Sequence, residues 1–339
     1  MKLLPHSNGV RKVNMKKKKN LKEKLKLVAL TLIGILLVGY IAQRWSNFVA
    51  KETLKARVDY TTVDDIRMDY RVSGEGEYTI VFDGAMGTNL EGWNSVVEEL
   101  ESDQVQTFVY NRRGYGYSGG GLSVTPEEQA EDLKILLRKA GMPEPYILVG
   151  EEYGSLVVTS FAENFKESVA GVVLIDPINE NEIGSKENNI SQLVTRIRRK
   201  IESLGSNIWL TELLDKLNWD VNLNDYENGL EGDELIEFRT QRTKSNYTTA
   251  IYNELTNVIK GKSNSQKEGV FKDIPYFLLT KNENDNLAKL GDEELTSVHI
   301  STIEKDFLAI NDTENVVNAI RQIIKKLDNI KIMERKASS

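Results

Sequence analysis

Residues 146–154 read YILVGEEYG. The four residues from Tyr146 to Val149 form a short apolar run with strand propensity. The run ends at Gly150, and a second glycine, Gly154, follows four residues later. Residues 155–164 then have the pattern of an apolar helix. The stretch reads as a strand that reverses sharply into a helix, with glycines at both flanks because the reversal leaves no room there for side chains. Glu151, Glu152 and Tyr153 occupy the turn itself.

The same alternation extends on both sides. Strands are expected at 78–82 (YTIVF), 106–110 (QTFVY), 169–175 (VAGVVLI), 274–280 (IPYFLLT) and 298–303 (VHISTI). Helices are expected at 94–100 and 316–327, and from Thr125-Pro126-Glu127-Glu128 to about Lys139. In that last helix Thr125 is the N-cap, Pro126 takes the first helical position and Glu128 closes a capping box. Nearly all-apolar strands alternating with helices imply a mostly parallel sheet covered on both faces. Residues 178–270 break the rhythm; they are charged and mostly helical, and read as an insertion. The terminal KIMERKASS reads as frayed.

With 339 residues, 40% hydrophobic and 28% charged, the chain has ordinary globular composition,. A mean hydropathy of −0.39 excludes a multi-span membrane protein. The absence of cysteine excludes disulfides, thiolate metal sites and a cysteine nucleophile,. His6 and His299 are the only histidines. The net charge of −7 conceals two opposite parts: residues 1–26 hold ten Lys/Arg against Glu23 alone, a net +9, leaving −16 for the rest. An acidic body argues against nucleic acid as a partner.

The basic block runs into residues 27–42, LVALTLIGILLVGYIA, without a charge. Sixteen helical residues span about 24 Å, and Leu25, Tyr40 and Trp45 can extend the segment to both interfaces of a bilayer. A cleaved signal peptide and a buried core helix are the competing readings, but Tyr40 and Phe48 stand two residues before Ala42 and Ala50, where cleavage wants small residues, and the KKKKNLKEKLK flank disfavours a core helix,. The expectation is an uncleaved anchor at 27–45, a basic cytoplasmic tail at 1–26 and an extracytoplasmic body in the cell membrane.

Five segments in order carry a resemblance: VFDGAMGTNLEGW (81–93), YNRRGYGYSGG (110–120), YILVGEEYG, VAGVVLIDP (169–177) and VVNAIRQIIKKL (316–327). The chain resembles the α/β-hydrolase family, whose nucleophile elbow has the form Gly-x-nucleophile-x-Gly. The resemblance implies an α/β-hydrolase fold over 58–177 and 271–330 and places 178–270 as a helical cap. Glu152 falls on the nucleophile position, Asp306 on the histidine position, and Asp285 or Asn284 on the acid position. The family's His-Gly pair appears as Asp83-Gly84, with oxyanion donors expected at Ala85 and Tyr153.

Serine-hydrolase chemistry needs a hydroxyl nucleophile and an imidazole. Glu152 and Asp306 supply neither. His299 reads as a sheet residue, and Ser118 and Ser155 as structural. A non-catalytic binding or sensing module with a small-molecule ligand under the cap is therefore expected, with no cofactor and no metal. The anchor also leaves room for a protein partner. The alternative is an atypical hydrolase in which Glu152 attacks an ester, epoxide or haloalkane and Asp306, its pKa raised by the neighbouring carboxylate, acts as base. In a third reading Asp83, Glu152 and Asp306 converge with Glu151 close by and form a cation site, against which stands neutralisation by Arg112 or Arg113.

Overall fold

The computed structural model describes residues 21–53, 58–120, 124–183, 190–217, 223–261, 263–282 and 286–337. Most of the basic tail, His6, Trp219, Asn284 and Asp285 lie outside the described residues. Eight strands form one sheet: β1 (Asp59–Val63), β2 (Ile66–Ser73), β3 (Thr79–Asp83), β4 (Gln106–Tyr110), β5 (Tyr146–Glu151), β6 (Val169–Ile175), β7 (Tyr276–Thr280) and β8 (Thr296–Ile300). Their order is β1-β2-β4-β3-β5-β6-β7-β8. From β4 to β8 every pairing is parallel, as the apolar strands imply; β1–β2 and β2–β4 are antiparallel.

The helices are α1 (Leu21–Thr53), α2 (Asn94–Leu100), α3 (Pro126–Lys139), α4 (Gly154–Asn164), α5 (Glu180–Ile183), α6 (Ile190–Gly205), α7 (Leu210–Lys216), α8 (Asn224–Glu227), α9 (Gly232–Gln241), α10 (Ser245–Ile259), α11 (Leu308–Asn311) and α12 (Thr313–Ala337). One sheet face packs against α3 and α4 through Leu133, Leu137, Leu156 and Phe161. The other packs against α2 and α12 through Val96, Val316, Ile320 and Ile323. Strands buried on both faces need apolar residues at every position, which is why β3 and β5 show no alternation,.

Helices α5 to α10 fall between β6 and β7, where the insertion is expected. The β1–β2 hairpin is an addition to the expected elements. β8 begins at Thr296 and ends at Ile300 rather than running over 298–303, and the last helix continues through Ala337, so most of KIMERKASS is helical rather than frayed. The apolar segment at 27–45 lies inside α1. Within it, residues Leu21–Ser46 are long and apolar enough to cross a membrane.

The sheet order reverses direction around β3. Strand β4 lies on one side of it and β5 on the other, and such a switch opens a crevice at the carboxyl ends of the strands. Asp83, the last residue of β3, pairs in register with Gly150. The turn that follows β5 therefore stands directly over this crevice.

Candidate functional site

The β5–α4 turn is as tight as its glycines require. A Cβ on Gly150 would stand 2.7 Å from the Gly154 carbonyl oxygen, and one on Gly154 would stand 2.2 Å from the Asp83 carbonyl oxygen. Glu152 at the apex has φ +48°, a left-handed conformation that costs a non-glycine residue about 1 kcal/mol or more,. That backbone aims its side chain at two amides. Glu152 Oε2 accepts from Met86 N–H at 2.7 Å and from Tyr153 N–H at 2.8 Å.

One donor follows β3 and the other follows the elbow residue. Two backbone donors on a single oxygen are the geometry of an oxyanion hole. Here the elbow residue's own carboxylate fills it. Tyr153 also caps α4, so the negative charge meets the positive end of that helix,. Burial pushes the Glu152 carboxyl above its ordinary range, the Met86 and Tyr153 amides oppose this, Glu254 raises it further and Arg112 lowers it. The loop donor is Met86 rather than the expected Ala85. The Ala85 carbonyl turns inward to accept from Thr88 and from Arg112, which advances the outward-facing amide by one residue.

Beside this cradle, Arg112 neutralises a buried acidic group. Its guanidinium pairs with Asp83, whose second oxygen accepts from the Tyr110 hydroxyl. It pairs also with Glu254, Nε to Oε1 at 2.8 Å and Nη2 to Oε2 at 3.1 Å. Arg112 further donates to the Gly84 carbonyl at 2.6 Å. Burial holds Asp83 above the usual carboxylate range despite this pairing. Neutralisation of Asp83 by Arg112 thus takes the position that a bound cation would need, while Arg113 pairs instead with Asp132. Removing one partner of such a desolvated pair costs about 3–5 kcal/mol, because the other charge is left buried and uncompensated.

Glu254 was not singled out from the sequence. It lies on α10 at the spacing Tyr247, Ile251, Glu254, Val258, which puts a carboxylate on the apolar stripe of that helix,. An acid on such a stripe needs a buried partner, and that is the signal the charged composition of the insertion masks.

The remaining expected positions do not join Glu152. Asp306 is largely exposed and pairs with Lys281 at 2.9 Å; Lys281 also reaches Asp176 at 2.7 Å. Lys281 thus holds Asp306, and the expected Glu152–Asp306 carboxylate pair does not form. Glu151 is the last strand residue of β5, one position before the turn. It is buried, its Oε1 accepts from Ala309 N–H at 2.9 Å, and burial pushes its pKa to about 8. His299 is a β8 residue paired in register with Leu279. Ser155 Oγ donates to the Glu152 carbonyl at 2.5 Å, and Ser118 bridges Asp69 and Asn111, so both are structural as read.

The inserted helices cover the crevice. The Tyr247 hydroxyl donates to the Gly87 carbonyl at 2.7 Å, and the Tyr226 hydroxyl donates to the Asn89 carbonyl at 3.1 Å. The rings of Tyr115, Tyr226, Phe238, Tyr247 and Phe307 stack edge to face with centroids 4.9–5.9 Å apart. A cavity of about 320 Å³ lies between α10 and the loop after β4, with Arg113, Gln129, Asn246 and Glu254 among its walls. Gln129 Nε2 donates to Glu254, while its buried Oε1 has no partner among the described residues.

Eight strands in this order, an elbow with a left-handed apex and a backbone cradle beside it can be compared with known proteins. A family model described as the alpha/beta hydrolase fold matches residues 78–218. The ligand-free epoxide hydrolase CorEH superposes with a TM-score of 0.62 at 17% identity, over 80% of this chain and 99% of that one. The fold is that of the α/β-hydrolases. The juvenile hormone epoxide hydrolase of the silkworm Bombyx mori shares this α/β-hydrolase fold, with a TM-score of 0.58 at 14% identity over 80% of this chain and 76% of that one. At such identities the likeness concerns the fold alone. In sequence, the chain is 33% identical over 105 residues to the uncharacterized protein YqjL of Bacillus subtilis. That stretch is 31% of this chain and 41% of YqjL, so the chain spans less than half the length of this relative.

Proposed function

We propose that this chain is a membrane-anchored α/β-hydrolase fold that binds a small molecule and does not hydrolyse it. The observation behind this reading is the Glu152 carboxylate on the Met86 and Tyr153 amides. Those donors stabilise a tetrahedral oxyanion only when they are free to receive it. A resident carboxylate already takes both, and repels any second negative charge that would develop beside it. Both bonds fall on Oε2 and fix the carboxylate in one orientation, with Oε1 left as the other oxygen of the group. Asp306, tied to Lys281, is in no position to activate water against an ester on Glu152.

The ligand in this reading occupies the space beneath residues 178–270, which act as a cap. The cavity beside α10 supports it: its walls combine the polar side chains of Arg113, Asn246 and Glu254 with the apolar Val124 and Ala250. The anchor is the apolar part of α1. Its basic flank supports a reading with residues 1–26 in the cytoplasm and the body outside the cell membrane.

The test uses the detergent-solubilised full chain with a panel of short acyl esters, epoxides and haloalkanes, beside Glu152→Gln. The expected result is no turnover by either protein. Turnover by the wild type that disappears in Glu152→Gln would make Glu152 a working nucleophile and overturn the proposal. Equal turnover in both would place a hydrolytic centre elsewhere in the chain and overturn it as well.

A further inference from the structure

Helix α6 is built the wrong way round for a water-soluble protein. At 100° per residue, Leu193, Val194, Ile197, Ile201 and Leu204 fall within an arc of about 100°. All five face outward, between 48% and 64% exposed. The opposite, polar side is the one packed against protein. Ser203 Oγ lies 2.8 Å from Thr249 Oγ1 of α10, Glu202 is buried and pairs with Arg199 at 2.9 Å, and Thr211 Oγ1 donates to the Glu202 carbonyl. Exposed apolar residues follow in α7, Leu210 and Leu213, and at its C-cap, Leu217. Arg196 and Lys200 border the α6 stripe on one side and Arg198 borders it on the other, where long basic side chains reach headgroups while their stems cover apolar surface.

The position of this surface relative to α1 identifies what covers it. A Cβ on Gly39 would stand 2.3 Å from the Ile208 carbonyl oxygen, so the α6–α7 corner rests directly on α1. Ser46 donates to Glu212 Oε2 at 2.7 Å and accepts from Lys244 Nζ at 2.9 Å, which fixes the same contact one helical stretch further on. The apolar span ends at Ser46. Gly39 stands seven residues earlier, about 10 Å deeper at 1.5 Å per residue. A corner seated at Gly39 therefore lies at the depth to which an interfacial amphipathic helix sinks, roughly 5–10 Å.

We infer that α6 and α7 form a second membrane contact, lying in the headgroup and acyl boundary of the leaflet on the body's side, with the basic borders of α6 on anionic headgroups. This inference rests on the reading of α1 as a membrane span. It makes the insertion a lipid-seated element, so that a ligand dissolved in the bilayer would meet the cap before it meets water.

The test uses the full chain reconstituted in phosphatidylcholine–phosphatidylglycerol vesicles. Because the chain has no cysteine, single nitroxide labels can be placed through Leu36→Cys, Ile197→Cys, Leu204→Cys and, as a water-exposed reference, Glu167→Cys. Power saturation compares accessibility to oxygen, which concentrates in lipid, with that to a water-soluble nickel chelate. The expected result is severalfold preference for oxygen at Leu36, Ile197 and Leu204, and the reverse at Glu167. Chelate access at Ile197 and Leu204 with oxygen preference at Leu36 would overturn the inference alone. Chelate access at Leu36 as well would overturn the span and the inference together. Shielding of Ile197 and Leu204 from both reagents, with dipolar broadening that vanishes on dilution with unlabelled chain, would assign the face to a second copy and overturn the lipid contact.

Discussion

At the end of β5 two adjacent carboxyls receive different surroundings, because the chain leaves the strand between them and turns at Glu152. Glu152 enters a cradle of two amides, whereas Glu151 is buried with the Ala309 amide on one oxygen and feels the charges of Glu152, Asp176 and Lys281. The pKa of Glu151 rises from the ordinary 4.5 to about 8. A carboxyl whose folded pKa exceeds its unfolded one stabilises the fold fully below the unfolded value. That contribution is lost as pH climbs toward the folded value. Glu151→Gln keeps an acceptor for the Ala309 amide and has no charge to bury. Its thermal stability relative to wild type should therefore improve steadily from pH 5 to about 8 and then level off, a change on the order of a few kcal/mol. Melting curves across this range check it, and a difference independent of pH would contradict it. The elbow position of Glu152 was legible from its two glycines. The identity of its partner amide was not, because whether Ala85 or Met86 faces outward depends on Thr88 and Arg112 drawing the Ala85 carbonyl inward.

Among the elements, those with local punctuation were read most closely. Helix α3 has the expected capping box, with Glu128 N–H on Thr125 Oγ1 at 3.3 Å and Thr125 N–H on Glu128 Oε2 at 2.7 Å. Thr125→Ala should lower stability by about 1 kcal/mol, read as an earlier denaturant midpoint at unchanged slope, whereas Thr125→Ser should restore most of the loss. The β1–β2 hairpin escaped because β1 is the edge strand and β2 beside it is only partly buried, so polar residues interrupt the apolar pattern of both. Its turn is made by Asp64 and Asp65 at φ +48° and +62°, the left-handed pair of a tight hairpin without the glycine that usually announces one,. Strand β8 starts early for the same reason: it is an edge strand whose Val298 and Ile300 remain half exposed, so hydrophobicity does not mark its ends. The last helix outruns its apolar stripe because DNIKIMERKA contains no breaker.

At the scale of the whole molecule, the order of strands, the insertion and the apolar anchor were all visible in the chain, since each is a pattern over many residues. The convergence at the crevice was visible only in part. Asp83 and Glu152 stand at the ends of neighbouring strands, Asp306 pairs with Lys281 instead, and Glu254 arrives from the insertion about a hundred residues beyond the elbow to share Arg112 with Asp83. Long-range electrostatic partners of this kind leave little trace in local periodicity. The account turns on Glu152 occupying the cradle, and one titration reads that directly. In the full chain labelled with ¹⁵N-methionine and ¹⁵N-tyrosine, the Met86 and Tyr153 amide protons should move together with pH. Both should follow one ionisation whose midpoint lies above the ordinary carboxylate range, and both should be still in Glu152→Gln. Amides that do not respond to pH in the wild type, or that move equally in Glu152→Gln, would show that the cradle is open and that the account is wrong.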